Sequence, residues 1–379
     1  MRFETLAVHA GAEIDAETGA LAPPIHLSTT FRHTPDGEPR GSFEYQRESH
    51  PTADRLERAM ALVEGGAAGL AFASGMAAMT ALLESLPRGV EVLVPRDCYN
   101  GLRALASEVL VDKAITATTV DTTSLDAVSA ALSSRAAAIF LETPSNPLLE
   151  VSDLSAIVAL ARERGIAVFC DNTFATPALQ RPISLGVDVV LHSTTKYVSG
   201  HHDALSGVLV FRERGAFYES VARRRLITGG VLAPMSAYFV LRGLRSLAAR
   251  MQTHCTNARL VAGFLAAHPA VAEVYYPGLA SHPGHAIAAR QMQDFGGMLS
   301  FRVRGGRAAA LTVASRVALI TNATSLGGAE TSIEHRASFE RPTQISPPDL
   351  LRLSVGLEHP DDLIDDLRQA LAGVDGSSG

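Results

Sequence analysis

One short stretch joins a strand-like run to a cluster of hydroxyl groups and a single cation: Val187-Asp188-Val189-Val190-Leu191-His192-Ser193-Thr194-Thr195-Lys196-Tyr197. Its first half is apolar and β-branched, which is typical of a strand buried on both faces. Its second half places Lys196 at the mouth of that strand. Partial loss of hydration lowers the pKa of an ammonium group there, and the free amine can form a Schiff base. Taken alone, the stretch more often describes a lysine that ends a strand and points into water.

Strands and helices alternate through the first part of the chain. Apolar runs predict seven strands, at 69–73, 91–94, 114–120, 137–142, 167–171, 187–192 and 205–211. Helices are predicted between most of them, for example over 152–164, with Ser152 as the cap and Gly165 as the stop. This alternation indicates an α/β fold with a mainly parallel seven-stranded sheet and helices on both faces. Ligands of such sheets gather at the carboxyl ends of the strands.

The end of the chain follows another pattern. A long helical stretch is predicted over 235–268, followed by short strands at 271–276, 297–303 and 317–321 and helices at 307–315 and 361–371. This pattern indicates a smaller C-terminal α+β domain. A chain of 379 residues exceeds the size of one hydrophobic core, and we place the domain boundary near residue 235.

We therefore predict an N-terminal arm over 1–50, an α/β domain over 51–235 and an α+β domain over 236–379. Prolines and glycines keep the first ~45 residues irregular. An arm without a core of its own is expected to lie on a neighbouring subunit. The Gly/Ser-rich tail over 373–379 is predicted to be disordered.

The composition is that of a globular protein, with 47% hydrophobic residues, 19% charged residues and a formal net charge of -6. A nucleic-acid partner needs clustered positive charge, and the basic run Arg223-Arg224-Arg225 is more typical of a solvated helix face. Because the sequence has no membrane-spanning run and no continuous apolar stretch at its N-terminus, we expect a cytoplasmic protein without a membrane partner. Cys98, Cys170 and Cys255 are widely spaced and fit reduced thiols.

A carboxylate, Asp171, ends the strand that precedes the lysine strand. A buried carboxylate needs a partner, and a backbone cap is the common one. Together with Lys196 it suggests another partner, because pyridoxal phosphate requires an amine to hold its aldehyde and an acid to keep its pyridinium nitrogen protonated.

Three weaker signals at the same edge of the sheet favour an anion. Ser74, Gly75 and Met76 follow the first strand and open a helix, where free backbone N–H groups bind phosphate readily. Ser193 and Thr195, which stand just before the single lysine Lys196, add hydroxyl groups at the same edge. The glycines over 65–69 lack the spacing of a dinucleotide fingerprint.

Other residues near strand ends have two interpretations each. Tyr99 fits either packing or stacking on a flat ring, and Asn146 fits either turn chemistry or a bond to a cofactor hydroxyl. Histidines at 192, 201 and 202 with Asp203 raise a zinc alternative. His201 and His202 are adjacent and point in different directions, so the sequence does not favour a metal.

With these residues in view, the chain resembles the transsulfuration family of pyridoxal-phosphate enzymes, which includes cystathionine gamma-synthases, cystathionine gamma-lyases and methionine gamma-lyases. The resemblance covers nearly the whole chain. Its matching motifs are Tyr45-Gln46-Arg47, Ser74-Gly75-Met76, Asp171-Asn172-Thr173, the lysine stretch with Gly200-His201-His202-Asp203, Ser325-Leu326-Gly327-Gly328 and Arg352-Leu353-Ser354-Val355-Gly356. It implies the fold of the type I pyridoxal-phosphate enzymes.

The resemblance also implies a role for each matching residue. Lys196 would hold the cofactor aldehyde and, once substrate frees it, carry protons between substrate carbons. Asp171 would pair with the pyridinium nitrogen, and Tyr99 would stack on the ring and assist proton transfer. The remaining implied cofactor contacts are Tyr45, Arg47, Ser74, Gly75, Met76, Asn146, Thr173, Ser193 and Thr195.

Tyr45 and Arg47 would reach the cofactor of a partner subunit, which gives the N-terminal arm a purpose and implies a homotetramer built as a dimer of dimers. Arg352 would hold the carboxylate of an amino-acid substrate by a bidentate pair, helped by Ser325 and Asn146. Arg103 and Thr324 complete the implied substrate pocket.

The chain departs from the family pattern in that pocket. Gly101 stands where methionine gamma-lyases carry Cys, and Thr324 stands where cystathionine gamma-lyases and gamma-synthases carry Glu. The segment 335–341 lacks the usual Pro and His. The sequence favours γ-elimination on a sulfur-containing amino acid, with γ-replacement on an O-acylhomoserine as the alternative. Two alternatives from other functional classes remain open. One is a cofactor-free lyase that forms a Schiff base through Lys196, and the other is a binding protein without catalytic activity.

Overall fold

The computed structural model describes residues 1–340 and 345–374. In this part of the chain the larger domain contains a seven-stranded sheet. Its strands are β1 (Ala68–Phe72), β2 (Glu91–Pro95), β3 (Thr116–Val120), β4 (Ala136–Glu142), β5 (Ala167–Asp171), β6 (Val189–His192) and β7 (Gly207–Phe211). The spatial order is β1-β7-β6-β5-β4-β2-β3.

The sheet is parallel from β3 through β6, whereas β7 and β1 are antiparallel to their neighbours. The prediction of a mainly parallel seven-stranded sheet is confirmed. The parallel strands end at one edge, so the last residues of β5 and β6 lie beside each other. Register pairs Glu142 of β4 with Asp171 of β5, and Asp171 with Leu191 of β6.

Helices cover both faces of this sheet, because its strands are apolar on both sides. Val190 and Leu191 are neighbours in β6 but belong to different apolar clusters, one on each face. The helices of the first 244 residues are α1 (Phe3–His9), α2 (Pro51–Glu64), α3 (Gly75–Glu84), α4 (Asn100–Glu108), α5 (Leu125–Ala131), α6 (Leu154–Arg162), α7 (Thr176–Leu179), α8 (Ala216–Thr228) and α9 (Pro234–Leu244).

The smaller domain carries a second sheet with its own core. Its described strands are β8 (Val271–Tyr275), β9 (Met298–Val303), β10 (Thr321–Asn322), β11 (Ser332–His335) and β12 (Leu350–Ser354), in the order β10-β11-β12-β9-β8. The helices are α10 (Leu247–Ala267), α11 (His285–Gln291), α12 (Gly306–Arg316) and α13 (Pro360–Leu371). None of the helices in the described ranges is both long and apolar enough to cross a membrane.

Several sequence predictions were wrong in detail. The first residues are not wholly irregular, since Phe3–His9 is helical, and the long helical stretch is two helices. Asp153 caps α6 by accepting the N–H of Ala156 at 3.2 Å, whereas the Ser152 hydroxyl donates to Thr122. The strand predicted at 317–321 is only the two-residue β10. Most of the predicted disordered tail lies outside the described residues.

Two strands of the smaller domain were missed altogether. β11 and β12 contain the charged residues Glu334 and Arg352, which interrupt the apolar pattern that signals a buried strand. Both side chains are buried and pair with each other, so tertiary contacts replace the missing local signal.

The loop after Lys196 is fixed from behind by the helices at the domain boundary. The buried guanidinium of Arg250 donates to the carbonyl oxygens of Tyr197 at 2.6 Å and Gly243 at 2.7 Å. Gly243 lets α9 approach this loop closely, because an added Cβ would lie 2.2 Å from the carbonyl oxygen of Ser199.

A Gly243→Ala substitution is therefore expected to destabilise the protein by about 1–3 kcal/mol, as overpacking of a tight contact does. The matched control is Gly263→Ala in α10, where an added Cβ meets no atom within 4 Å. That change should be neutral or stabilising by up to about 1 kcal/mol, because alanine favours helix. Thermal denaturation measures both. Equal midpoints for the two variants would contradict the close contact.

Candidate active site

A cavity of about 380 Å³ lies where the smaller domain meets the carboxyl ends of the parallel strands. Most of the residues predicted for the site line it: Ser74, Gly75, Met76, Tyr99, Asn146, Asp171, Thr173, Ser193, Thr195, Lys196, Thr324, Ser325 and Arg352. These residues come from distant parts of the chain, and the fold brings them into one space.

Lys196 is held at the junction of the two domains. Its Nζ donates to Oγ of Ser325 at 2.7 Å. The pKa of the Lys196 ammonium is lowered from 10.5 to about 8, chiefly by burial and also by the nearby Arg352 guanidinium, against the opposing effect of Glu334. A substantial fraction of the free amine is therefore present near neutral pH, as a nucleophile or a base requires.

Two buried carboxylates lie side by side at the base of the cavity. Glu142 and Asp171 are partners in the register of β4 and β5. Burial raises the pKa of both, and the charge of Asp171 raises that of Glu142 further. Glu142 accepts the N–H of Tyr99 at 2.9 Å, and Asp171 accepts the N–H of Thr173 at 2.9 Å. Such a pair favours a cationic group on a ligand above it.

The opposite end of the cavity suits an anion. Ser74 caps α3 with its side chain, accepting the N–H of Ala77 at 3.0 Å. Gly75 and Met76 thus open a ten-residue helix, where N–H groups lack intrahelical acceptors. A Cβ on Gly75 would lie 3.0 Å from Cβ of Ser193, so the glycine allows α3 to pack against the lysine stretch.

Hydroxyl groups of the predicted phosphate site have contacts of their own. Thr173 joins two parts of the site, because its hydroxyl accepts the N–H of Ser193 at 2.8 Å while its own N–H bonds Asp171. The Thr195 hydroxyl donates to the carbonyl oxygen of Ser206 at 3.0 Å. Thr195 therefore orders the turn before Lys196 and retains only acceptor capacity on its hydroxyl.

Tyr99 lies at the cavity wall with 38% of its surface exposed. Gly101 packs directly against it, since an added Cβ would lie 2.4 Å from the ring atom Cε1 of Tyr99 and 2.6 Å from Sδ of Met76. A cysteine at this position would require the Tyr99 ring to move. The departure from methionine gamma-lyases at Gly101 thus has a steric basis.

Arg352 is buried and crosses between the domains. Its Nη1 donates to Oδ1 of Asn146 at 2.9 Å and its Nη2 to the carbonyl oxygen of Ser325 at 3.1 Å. It also pairs with Glu334. Ser325 has a φ of +77°, a strained value for a residue with a side chain, and this conformation presents its hydroxyl to Lys196 and its carbonyl to Arg352.

Three predicted residues are not among the described residues that line the cavity. Arg103 lies 3.7 Å from Glu340, measured from Nη2 to Oε1. Arg47 donates to the carbonyl oxygen of Leu226 at 3.2 Å and lies over the ring of Tyr45, which is 44% exposed. Tyr45 and Arg47 therefore lie outside the cavity of their own subunit.

Sequence reasoning missed three charged residues that line the cavity: Glu142, Glu334 and Arg336. Glu142 ends a predicted strand beside the strand of Asp171, so its position carried a usable signal. Glu334 had none, because its strand was not predicted. Arg336 lies in the segment 335–341, which was noted only for lacking the usual Pro and His of the family.

The donor set fits pyridoxal phosphate. Lys196 would hold the aldehyde, Asp171 the pyridinium nitrogen, and the N-terminus of α3 with Ser193 the phosphate. Gly75 supplies the observation that tests the fit, because a side chain there would meet Ser193 and fill the anion end of the cavity.

Comparison with known proteins agrees with this assignment. A family model described as Cys/Met metabolism PLP-dependent enzyme matches residues 4–372. Cystathionine gamma-synthase of Mycobacterium tuberculosis (strain ATCC 25618 / H37Rv) is 47% identical over 373 residues, which cover 97% of this chain and 96% of the relative. Cystathionine gamma-lyase of Bacillus subtilis (strain 168) is 39% identical over 384 residues, covering 99% and 100% of the two chains.

The fold has solved counterparts. The crystal structure of metB from Corynebacterium glutamicum superimposes with a TM-score of 0.95 at 40% identity and covers 98% of each chain. The structure is that of a type I pyridoxal-phosphate enzyme, and the cofactor-free and non-catalytic interpretations are wrong. The chain belongs to the Cys/Met metabolism family of pyridoxal-phosphate-dependent enzymes.

Proposed function

We propose that this enzyme catalyses γ-elimination on a sulfur-containing L-amino acid of the cystathionine type, giving 2-oxobutyrate, ammonia and a thiol. The position of Lys196 carries the proposal: its amine has a lowered pKa and lines the same cavity as Asp171, the proposed partner of the cofactor ring, and Arg352, the proposed partner of the substrate carboxylate. γ-Replacement on an O-acylhomoserine is the second candidate, favoured by the 47% identity with a cystathionine gamma-synthase.

Pyridoxal phosphate, when bound, withdraws electrons and makes the α-hydrogen of an attached amino acid acidic. The chain supplies the rest of the chemistry. Asp171 would pair with the pyridinium nitrogen, whose positive charge favours the ionised carboxylate, and Arg352 would orient the substrate by its carboxylate. Ser325 and Asn146 hold the surrounding groups in place through the bonds to Lys196 and Arg352.

Lys196 is the proton carrier in this proposal. Elimination at the γ-carbon requires proton removal from the α- and β-carbons in turn, and one flexible amine can serve both. Its hydrogen bond to Ser325 supports the amine on the side of the smaller domain. Tyr99 at the cavity wall is the second group proposed to assist proton transfer.

A homotetramer, built as a dimer of dimers in the cytoplasm, completes the proposal. Tyr45 and Arg47 lie outside the cavity of their own subunit, which supports a role at the site of a partner. Large apolar side chains on the same arm are exposed, including Leu21 at 72% and Leu27 at 65%. An intersubunit contact would remove this apolar surface from water. The three buried, unpaired cysteines fit a reducing compartment.

A substrate panel tests the reaction. L-cystathionine alone is expected to give 2-oxobutyrate and ammonia, read by 2-oxo acid and ammonia assays. O-succinyl- or O-acetyl-L-homoserine with cysteine distinguishes the second candidate, because replacement consumes the thiol and forms cystathionine. Pyruvate from cystathionine would indicate β-elimination, and no product from any combination would contradict both candidates.

The amine of Lys196 gives a pH-dependent prediction. Its lowered pKa means that the reactive neutral amine dominates above about pH 8 in the cofactor-free protein. Acylation with a small amine-reactive reagent, followed by peptide mapping, should show labelling of Lys196 that rises with pH and has its midpoint near pH 8. The sequence contains one other lysine, Lys113, whose peptide provides an internal comparison. A Lys196 midpoint near the ordinary 10.5 would contradict the buried, cation-flanked site.

A further inference from the structure

Arg336 is a second arginine on the substrate side of the cavity wall. Its side chain is 6% exposed. The guanidinium donates to Glu334 through Nη1 at 3.2 Å and to Glu340 through Nε at 3.3 Å. Within residues 1–340 and 345–374, no group accepts a hydrogen bond from its buried Nη2. A buried cationic donor without an acceptor is unfavourable unless a ligand supplies one.

The carboxylates around Arg336 are shared with other arginines. Glu334 also pairs with Arg352, and Glu340 also lies 3.7 Å from Arg103. Among the described residues of this cluster, two carboxylates thus serve three guanidinium groups. The cluster keeps a net positive charge before the amine of Lys196 is added, and this charge favours anionic groups in the cavity.

The surroundings of Arg336 fit a short chain that ends in an anion. Phe339 lies on the same wall and offers an apolar surface to methylene groups. Glu334 and Glu340 bind two of the guanidinium nitrogens, Nη1 and Nε, and so fix its plane, which leaves Nη2 as the nitrogen without an acceptor among the described residues. A planar carboxylate matches a guanidinium more closely than a neutral ester or thioether does.

We propose that Arg336 forms a specificity site for a carboxylate carried by the γ-substituent of the substrate, distinct from the α-carboxylate held by Arg352. This inference rests on the proposed action at the γ-carbon of an amino acid. Substrates whose leaving group ends in a carboxylate, such as succinyl esters of homoserine, then bind better than acetyl esters or methyl thioethers.

The binding test uses two amino acids without a γ leaving group. L-2-Aminoadipate and L-norleucine have chains of equal length and end in a carboxylate and a methyl group. Calorimetry with the holoenzyme is expected to show roughly 10- to 100-fold tighter binding of aminoadipate, the range for a charged hydrogen bond. Arg336→Gln should bring the ratio of the two dissociation constants close to one and leave norleucine binding within about threefold.

Two further variants make the test decisive. Arg336→Lys keeps the positive charge but loses the planar guanidinium, so this variant should retain part of the preference for aminoadipate. If the Arg336→Gln protein does not fold, the Arg336→Lys variant serves as the test in its place. Arg302→Gln in β9 is the matched control, because Arg302 pairs with Asp349 outside the cavity lining and should not affect the ratio.

The proposal is overturned if the wild-type ratio is near one, or if Arg336→Gln leaves a high ratio unchanged. A parallel loss of both affinities would also overturn it, since Arg336 would then act by positioning Glu334 and Arg352. Because neither ligand reacts, these results are independent of the substrate panel. Failure of every γ-substrate with an intact aminoadipate preference would reject the proposed reaction and retain the anion site.

Discussion

The site depends on two contacts that cross between the domains, from Lys196 to Ser325 and from Arg352 to Asn146. Each joins a group of the large sheet edge to a group of the smaller domain. The lysine alone would sit at an open strand end, where water would keep its amine protonated. Closure by the smaller domain removes that water and places Arg352 nearby, and both effects lower the pKa of the amine.

A second constraint comes from the register of the parallel strands, which places two buried carboxylates side by side. β4 and β5 carry Glu142 and Asp171 to the same level, where burial disfavours the charged form of both carboxylates. A cationic ring nitrogen placed against Asp171 reverses this penalty, because an opposite charge favours the ionised carboxylate. The cavity is therefore acidic at its base and basic on the side of the smaller domain, which matches a ligand with a cationic ring and anionic substituents.

The large domain was predictable because its signals are local. Apolar runs located the strands, and the reactive residues follow directly where those runs end, as with Asp171 and Lys196. Residues that pair with one another across separate strands were harder to predict from the sequence. Glu334 and Arg352 lie in strands whose charged residues break the apolar pattern, so the strand was missed even though the resemblance identified Arg352. The cap of α6 was misplaced by one residue because serine and aspartate both cap helices well.

The substrate side holds the features that separate this chain from its relatives. Gly101 packs against the Tyr99 ring, and Arg336 lies in the segment 335–341, which lacks the usual Pro and His of the family. Neither changes the residues that would hold the cofactor. The residues that would hold the cofactor therefore lie on the large domain, whereas the proposed specificity group lies on the segment after β11.

The identity of the cofactor anchor is the most direct point to measure. Reduction of the holoenzyme with borohydride, followed by peptide mass spectrometry, fixes the cofactor to the lysine that holds it. The structure predicts a bleached protein with the pyridoxyl group on the peptide that contains Lys196. A label on Lys113, or no label on either of these two lysines, would contradict the assignment of Lys196 as the anchor and proton carrier.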